Sequence, residues 1–518
     1  MKKIIIAAIT IAFFAACSKN FLERSPIDEQ TEDSYYKTPE QALQALVAVY
    51  NQLEIGDYDN IHLVSEIASD DCFGGGSSSD LVWKQWDRFE AASNMNLTIW
   101  QKYYTGIYRA NFLLSKINGV EWGADTTLKV RYEAEARFLR AYFYFDVVRF
   151  FGHVPLTTVP LTPSEINIPQ AEPAAVYAQI AQDLKYAADN LPATPYTAIP
   201  ATDYGRVNKW GAEALLARVF LFYTGYYNQA DLAGVVTKAD VTNYLDNLIT
   251  NGGYGLVDKF ENLWQSALTN FVGEDNKETV WSIKFTYKGL GNWDQHNGNR
   301  MQVDIAPRGE ALVPYYRGWG AGTVTPSLYN AYTNGDSRKR ATIISIDDEN
   351  LTAFALGDQT QYTGYFWKKY TPMNDGNAVD MGGDYQIDNY YDNVVIRYAD
   401  VLLMAAELNL DGNLAKAQDY YNMIRDRAFQ NTTSRLTLTA DAAGKKLIMD
   451  ERRLELALEG LRYWDLLRQG VDVAAAAINN NGTSEFNVSF RSATQGLFKI
   501  PEQEISLSNG VYKQNAGW

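Results

Sequence analysis

The chain has 518 residues, 46% hydrophobic and 21% charged, with a net charge of −16. That is ordinary globular composition, long enough for a large core and more than one domain, and its acidity excludes a general nucleic-acid binder, which needs a Lys/Arg excess. Two cysteines (Cys17, Cys72) and three histidines (His62, His153, His296) exclude a disulfide framework and a Cys-rich metal site.

Met1-Lys2-Lys3 followed by an apolar run from Ile4 to Phe14 has the charge and length of a signal peptide, too short for a stable membrane span. Ala15-Ala16-Cys17 then reads as a lipobox, with Phe14 where Leu is usual. The expected mature chain starts at Cys17, which carries the lipid, and residues 17–30 form a tether.

Residues 31–250 read as helices. Thr38-Pro39-Glu40-Gln41 is a helix start with a capping box, leading an apolar stripe through Leu43, Leu46, Val47, Tyr50 and Leu53. Further helices are predicted at about 97–117, 128–150, 173–190, 208–227 and 238–250, the second aromatic on all sides and so buried. Residues 251–393 have little helical period and are rich in Gly, Asn, Asp, Tyr and Trp. They read as an ordered, loop-rich insertion with β-like runs at 279–286 and 362–368. From 394 the helices return. Stripes through Ile396–Leu410 and Leu414–Ala428, joined by Asp411-Gly412-Asn413, make an antiparallel hairpin of the kind that stacks in TPR-like arrays. The predicted fold is mainly α: TPR-like hairpins in a right-handed-type platform, a loop-rich middle with short strands, and residues 394–518 packed on the N-terminal helices.

Five segments in this order resemble the SusD/RagB family: the lipobox with Phe21-Leu22 and Pro26; Glu133 through Gly152 closing in His-Val-Pro-Leu156; Ile396 through Glu407, continued at Asn422–Ala428; Asp450 through Gly460, continued to Arg468; and Leu497–Ile505 with Gln514–Trp518. The resemblance implies a lipoprotein on the outer surface of the outer membrane. It would be non-catalytic and would present glycans, or in some members peptides, to a SusC-type TonB-dependent transporter.

Two clusters are candidate ligand contacts. Asp70-Asp71-Cys72-Phe73 precedes three glycines and three serines, expected as an exposed loop, and then Trp83 and Trp86, three apart on a short helix. Those rings could stack on sugars while the carboxylates accept hydroxyl hydrogen bonds, or they could pack beneath the loop. The second cluster is Trp293, His296, Tyr315, Tyr316 and Trp319, the last flanked by Gly318 and Gly320. By the resemblance, the family's glycan site draws on both regions.

The charged helix after Ala442 places Glu451, Glu455, Glu459 and Asp465 among arginines, which reads as an ion-pair network rather than as catalytic carboxylates. Asp384, Asp388 and Asp392 lack the glycine turn of an EF-hand loop, so no cofactor is expected and a structural calcium in this loop stays open, without support from the spacing. Enzyme signatures are absent from the sequence. A surface glycoside hydrolase, working through Asp70 or Asp71, and a peptide-binding member of the same family remain as alternatives.

Overall fold

The computed structural model describes residues 35–54, 60–93, 95–124, 126–288, 293, 297–480, 486 and 488–518. The segments expected as signal peptide and tether, with Cys17, and also His296 lie outside the described residues. Among those described, no helix is long and apolar enough to cross a membrane.

Among the described residues the N-terminal half holds the α-helices α1 (Pro39–Glu54), α2 (Ile61–Ile67), α3 (Leu81–Asp87), α4 (Leu97–Lys116), α5 (Thr127–Phe151), α6 (Pro173–Asn190), α7 (Lys209–Tyr226) and α8 (Lys238–Asn251). Helix α1 starts as the capping box requires: the Gln41 N–H donates to Thr38 Oγ1 (3.4 Å) and the Thr38 N–H donates to Gln41 Oε1 (3.1 Å). Neighbours pack in succession, α4 on α5, α5 on α6, α6 on α7 and α7 on α8. The α4–α5 contact is tight because Gly106 lacks a side chain. A Cβ there would come within 2.5 Å of the Phe143 ring. Helix α5 is buried on every side along its second half, as its unbroken run of aromatic and small residues requires.

Strands β1 (Val154–Pro155) and β2 (Gln170–Ala171) pair behind α5. Strand β3 (Thr279–Ile283) pairs antiparallel with β6 (Asn393–Arg397), so the chain leaves the helical platform and returns to it at one place. Between them lie short helices α9 (Met301–Ile305), α10 (Pro326–Ala331) and α11 (Arg338–Thr342), and the β4 (Ile343–Ser345) and β5 (Tyr365–Trp367) pair. A small second core of Leu312, Tyr315, Ile344, Phe366 and Met373 supports these loops.

The C-terminal part adds α12 (Tyr398–Asn409), α13 (Leu414–Phe429), α14 (Ala442–Leu456), α15 (Arg462–Leu467), α16 (Val471–Asn479) and α17 (Glu502–Leu507). Helix α12 packs on α13 and α14 and also back on α7 and α8, closing one continuous main core.

Two expectations are corrected. Ile396 belongs to β6, and the helical stripe starts two residues later. The charged helix after Ala442 ends at Leu456 rather than running on to Asp465. The buried Glu66 carboxylate, on α2, accepts the backbone N–H groups of Leu458, Gly460 and Leu461 (3.2, 2.8 and 3.0 Å), and Leu458 and Gly460 take positive φ to present them. A buried acceptor thus outcompetes helical continuation. Helix α2 escaped sequence reading because all seven of its residues are buried, which leaves no amphipathic period.

Candidate ligand-binding site

The charged helix is structural. Arg338, Arg397, Arg425, Arg427 and Lys369 interleave with Asp336, Glu278, Glu451, Glu455 and Glu459, every one of them buried. Burial disfavours the Glu455 carboxylate, but Arg427, Arg397 and Arg338 overcome that and hold it well below the usual range. Against the same burial, Arg397 and Lys369 likewise lower the Glu459 carboxyl, so Glu455 and Glu459 are held ionised and unsuited to acid–base chemistry.

The first candidate cluster is buried too. Asp70 makes a bidentate pair with Arg462 (2.7 and 2.9 Å), and Asp71 accepts from Arg453 (2.7 Å). Burial opposes the Asp70 charge, yet Arg462 and Arg453 lower its carboxyl to about 2. Both aspartates serve to tie α2 to α14 and α15. Trp83 is 3% exposed and Trp86 fully buried, the Trp86 indole donating to Asn96 Oδ1 (2.8 Å). Neither ring presents a stacking face.

The expected exposed loop is also mostly interior. Gly74, Gly75, Gly76 and Ser77 are buried, and only Ser78 and Ser79 are exposed. The glycines are needed for backbone contact. Phe73 N–H donates to Thr323 O (2.9 Å), Gly76 N–H to Gly320 O (2.8 Å) and Gly322 N–H to Gly74 O (3.0 Å), with antiparallel bridges at Cys72–Val324 and Gly75–Ala321. A Cβ on Gly75 would meet Gly320 O at 2.4 Å, and one on Gly76 would meet the Trp83 ring at 2.6 Å. The two clusters read separately in the sequence are therefore joined, but by main chain.

In the second cluster Tyr315 is fully buried, its hydroxyl donating to Glu349. It belongs to the small second core and is corrected from ligand contact to support. Trp319 is half-buried against the main core, with its N–H held by Val303 O (2.7 Å).

Trp293 and Tyr316 are accessible. Trp293 is 47% exposed and has the Arg300 guanidinium 5.6 Å from its ring centre. Tyr316 is half-buried and meets Tyr385 edge-on at 6.1 Å, with the Arg317 guanidinium 4.2 Å from the Tyr385 ring. The main chain sets this up. Tyr316 N–H donates to Pro372 O and Asn374 N–H to Pro314 O (both 2.8 Å), which docks 313–317 on the 372–390 loop. Asn299 N–H donates to Asn389 O (2.6 Å), bringing the stretch after Trp293 to the same loop. Tyr287 and Tyr390 add a second ring pair at 5.6 Å. Val313, Val379 and Met381 are exposed on the same loops. Sequence reading missed Tyr385, Arg317 and Arg300. The tyrosine-rich run from Asp384 to Tyr391 was the available signal. The result is an open surface of rings backed by guanidinium groups, able to stack on flat, weakly polar faces and to donate hydrogen bonds at their edges. No group of three or more His, Cys, Asp or Glu residues suited to a metal ion occurs among the described residues.

The chain is thus a mainly helical platform carrying a loop-rich aromatic surface. Residues 20–221 match a family model described as starch-binding, associating with outer membrane, and residues 349–518 match the SusD family model. A laminarin-binding SusD-like protein of known structure is 31% identical, with a TM-score of 0.77 covering 93% of this chain and 100% of that one. Surface glycan-binding protein A from Bacteroides fluxus is 26% identical, with a TM-score of 0.80 over the same shares. A SusD-like protein from Bacteroides ovatus is 26% identical over 493 residues, 90% of this chain and 82% of that one. The chain belongs to the SusD family.

Proposed function

We propose that the chain is a non-catalytic glycan-binding lipoprotein of the outer cell surface. It captures oligosaccharides or polysaccharides and delivers them to a SusC-type TonB-dependent transporter in the outer membrane. Lipid on Cys17 tethers it, and the helical parts, 31–250 and 394–518, supply the transporter contact. Residues 251–393 supply the ligand face, with Trp293, Tyr316 and Tyr385 stacking on sugar rings and Arg300 and Arg317 donating to hydroxyls.

The observation that carries this reading is the exposed ring set with its guanidinium backing, in a chain related to a laminarin-binding protein. The non-catalytic part is supported by the engagement of Asp70, Asp71, Glu451, Glu455 and Glu459 in buried ion pairs. The test is affinity electrophoresis of the soluble form beginning at Ser18 through gels containing laminarin, starch, xylan, mannan or pectin. Retardation in one gel, lost in Trp293→Ala or Tyr385→Ala, is expected. Equal migration in every gel would remove the glycan reading.

A further inference from the structure

One cleft among the described residues shares no residue with the aromatic face and carries the groups to hold a ligand. It is open and lies between α5, the 192–208 connection and β3. Its walls include Tyr196, Tyr204 and Tyr254, with the Tyr196 and Tyr254 ring centres 5.6 Å apart. The rim is stiff. Prolines bracket two 3-10 turns, Tyr196–Ala198 and Ala201–Asp203, and Tyr196 is tied by its N–H to Gly252 O (2.8 Å) and by its hydroxyl to Asp275 O (3.1 Å).

The polar groups are held in place yet incompletely used. Arg131 donates from Nε to Glu135 and from Nη2 to Asp203 (both 2.9 Å), which leaves its Nη1 unpaired among the described residues. Asp203 Oδ1 has only Arg206, at 3.9 Å. The hydroxyl of Tyr204, an exposed ring, has no hydrogen-bond partner among the described residues. Nor does that of Ser282, which lies on the cleft floor and is 3% exposed as a residue. The site thus offers donors, an acceptor and two hydroxyls that do either. The charged residues lining the cleft balance, Arg131 and Arg206 against Asp203 and Asp275, so neither an anion nor a cation is favoured by net charge there. An uncharged polyhydroxyl ring gains stacking on tyrosine and hydrogen bonds in both directions.

We propose that this cleft is a second carbohydrate-binding site, which takes a neutral sugar unit. The class of ligand rests on the glycan reading above, while the cleft itself does not. Two sites on one chain would grip a polysaccharide by avidity.

The test is hydrogen–deuterium exchange on the soluble protein with millimolar laminarihexaose, maltohexaose, cellohexaose or mannohexaose. It is run on the wild type, on Tyr204→Ala, and on Trp293→Ala/Tyr385→Ala. The expected result is slower exchange across 196–208, by roughly threefold or more, with at least one hexasaccharide. That protection persists in Trp293→Ala/Tyr385→Ala and disappears in Tyr204→Ala. In the same Tyr204→Ala variant the apparent affinity for the parent polysaccharide falls roughly tenfold or more. Protection of 313–319 and 381–390 without 196–208 would overturn the second site and leave the aromatic face standing. Protection of 196–208 that vanishes in Trp293→Ala/Tyr385→Ala would also overturn it, as a relay from that face. Protection of 196–208 alone would keep this site and remove the other. No protection by any sugar contradicts both.

Discussion

The guanidinium of Arg317 lies 4.2 Å from the centre of the Tyr385 ring, although 68 positions separate them in the chain. The pair covers one face of a half-buried ring that stands edge-on to Tyr316. Preorganisation of this kind lowers the entropy lost on binding. Tyr385→Ala is therefore expected to weaken glycan binding by about 2 kcal/mol or more, the scale of a binding hot spot. Arg317→Ala should weaken it less, by loosening the ring. Titration calorimetry with the retarding glycan measures both, and equal affinity in Tyr385→Ala would rule out the ring as a contact.

Trp86 is a core residue. Trp86→Ala is expected to lower stability by about 3–5 kcal/mol, the range for large aromatic truncations, while the folded fraction binds glycan with unchanged affinity. Denaturant unfolding and calorimetry on the same samples separate the two effects. A loss of affinity at full stability would return Trp86 to the site.

Gly75 has φ +68° and faces Gly320 O, which a Cβ would approach to 2.4 Å. Gly75→Ala is expected to lose about 1–3 kcal/mol from the backbone conformation alone, and more from the clash. Because Gly320 follows Trp319, the damage should reach the loops of the ligand face. Thermal melting together with glycan titration reads this, and a melting temperature equal to wild type would contradict the ribbon between 72–76 and 320–324.

Acid should dismantle the Asp70–Arg462 pair. The Asp70 carboxyl is lowered from 3.8 to about 2 in the folded protein. Its contribution is therefore fully present above the unfolded value and is lost as pH falls through the folded one. The size is about 2 kcal/mol, from nearly two pH units. The stability gap between wild type and Asp70→Asn should shrink by that amount between pH 5 and pH 2, measured by urea unfolding. A gap independent of pH would mean that Asp70 is not held as an ion pair.

Glu455 is the hub of the buried network, in contact with Arg338, Arg397 and Arg427. Its removal takes one carboxylate from each of three buried cations, which keep only Asp336 and Glu451, Glu278 and Glu459, and Glu278 respectively, so Glu455→Ala is expected to cost about 3–5 kcal/mol. Urea unfolding checks this, and a cost under about 1 kcal/mol, the surface-pair scale, would contradict the network.

Much of the helical platform was legible in the sequence, because capping boxes, prolines at first turns and 3–4 spacing act locally. Thr38 with Gln41, and Pro173, mark their helices directly. The family, too, was legible from five ordered segments. The ligand face was not, for two physical reasons. Aromatic residues serve core and surface alike, so Trp83, Trp86 and Tyr315 carry the same letters as Trp293 and Tyr316, and only long-range packing separates them. Triglycine reads as an exposed turn, whereas here it permits main-chain contact with a segment some 245 residues away. The break at Leu458–Gly460 depends on Glu66, which is more remote still, 394 positions from Gly460. Arg317 and Tyr385 become partners only through the hydrogen bonds that dock 313–317 on 372–374.

The central claim is that accessible rings of the loop-rich region hold the glycan. The most direct measurement is titration calorimetry of the soluble protein with the glycan that retards it most, comparing wild type, Trp293→Ala/Tyr385→Ala and the core control Trp86→Phe. The account predicts affinity lost in the ring variant and kept in the core control. Full affinity in Trp293→Ala/Tyr385→Ala would contradict it.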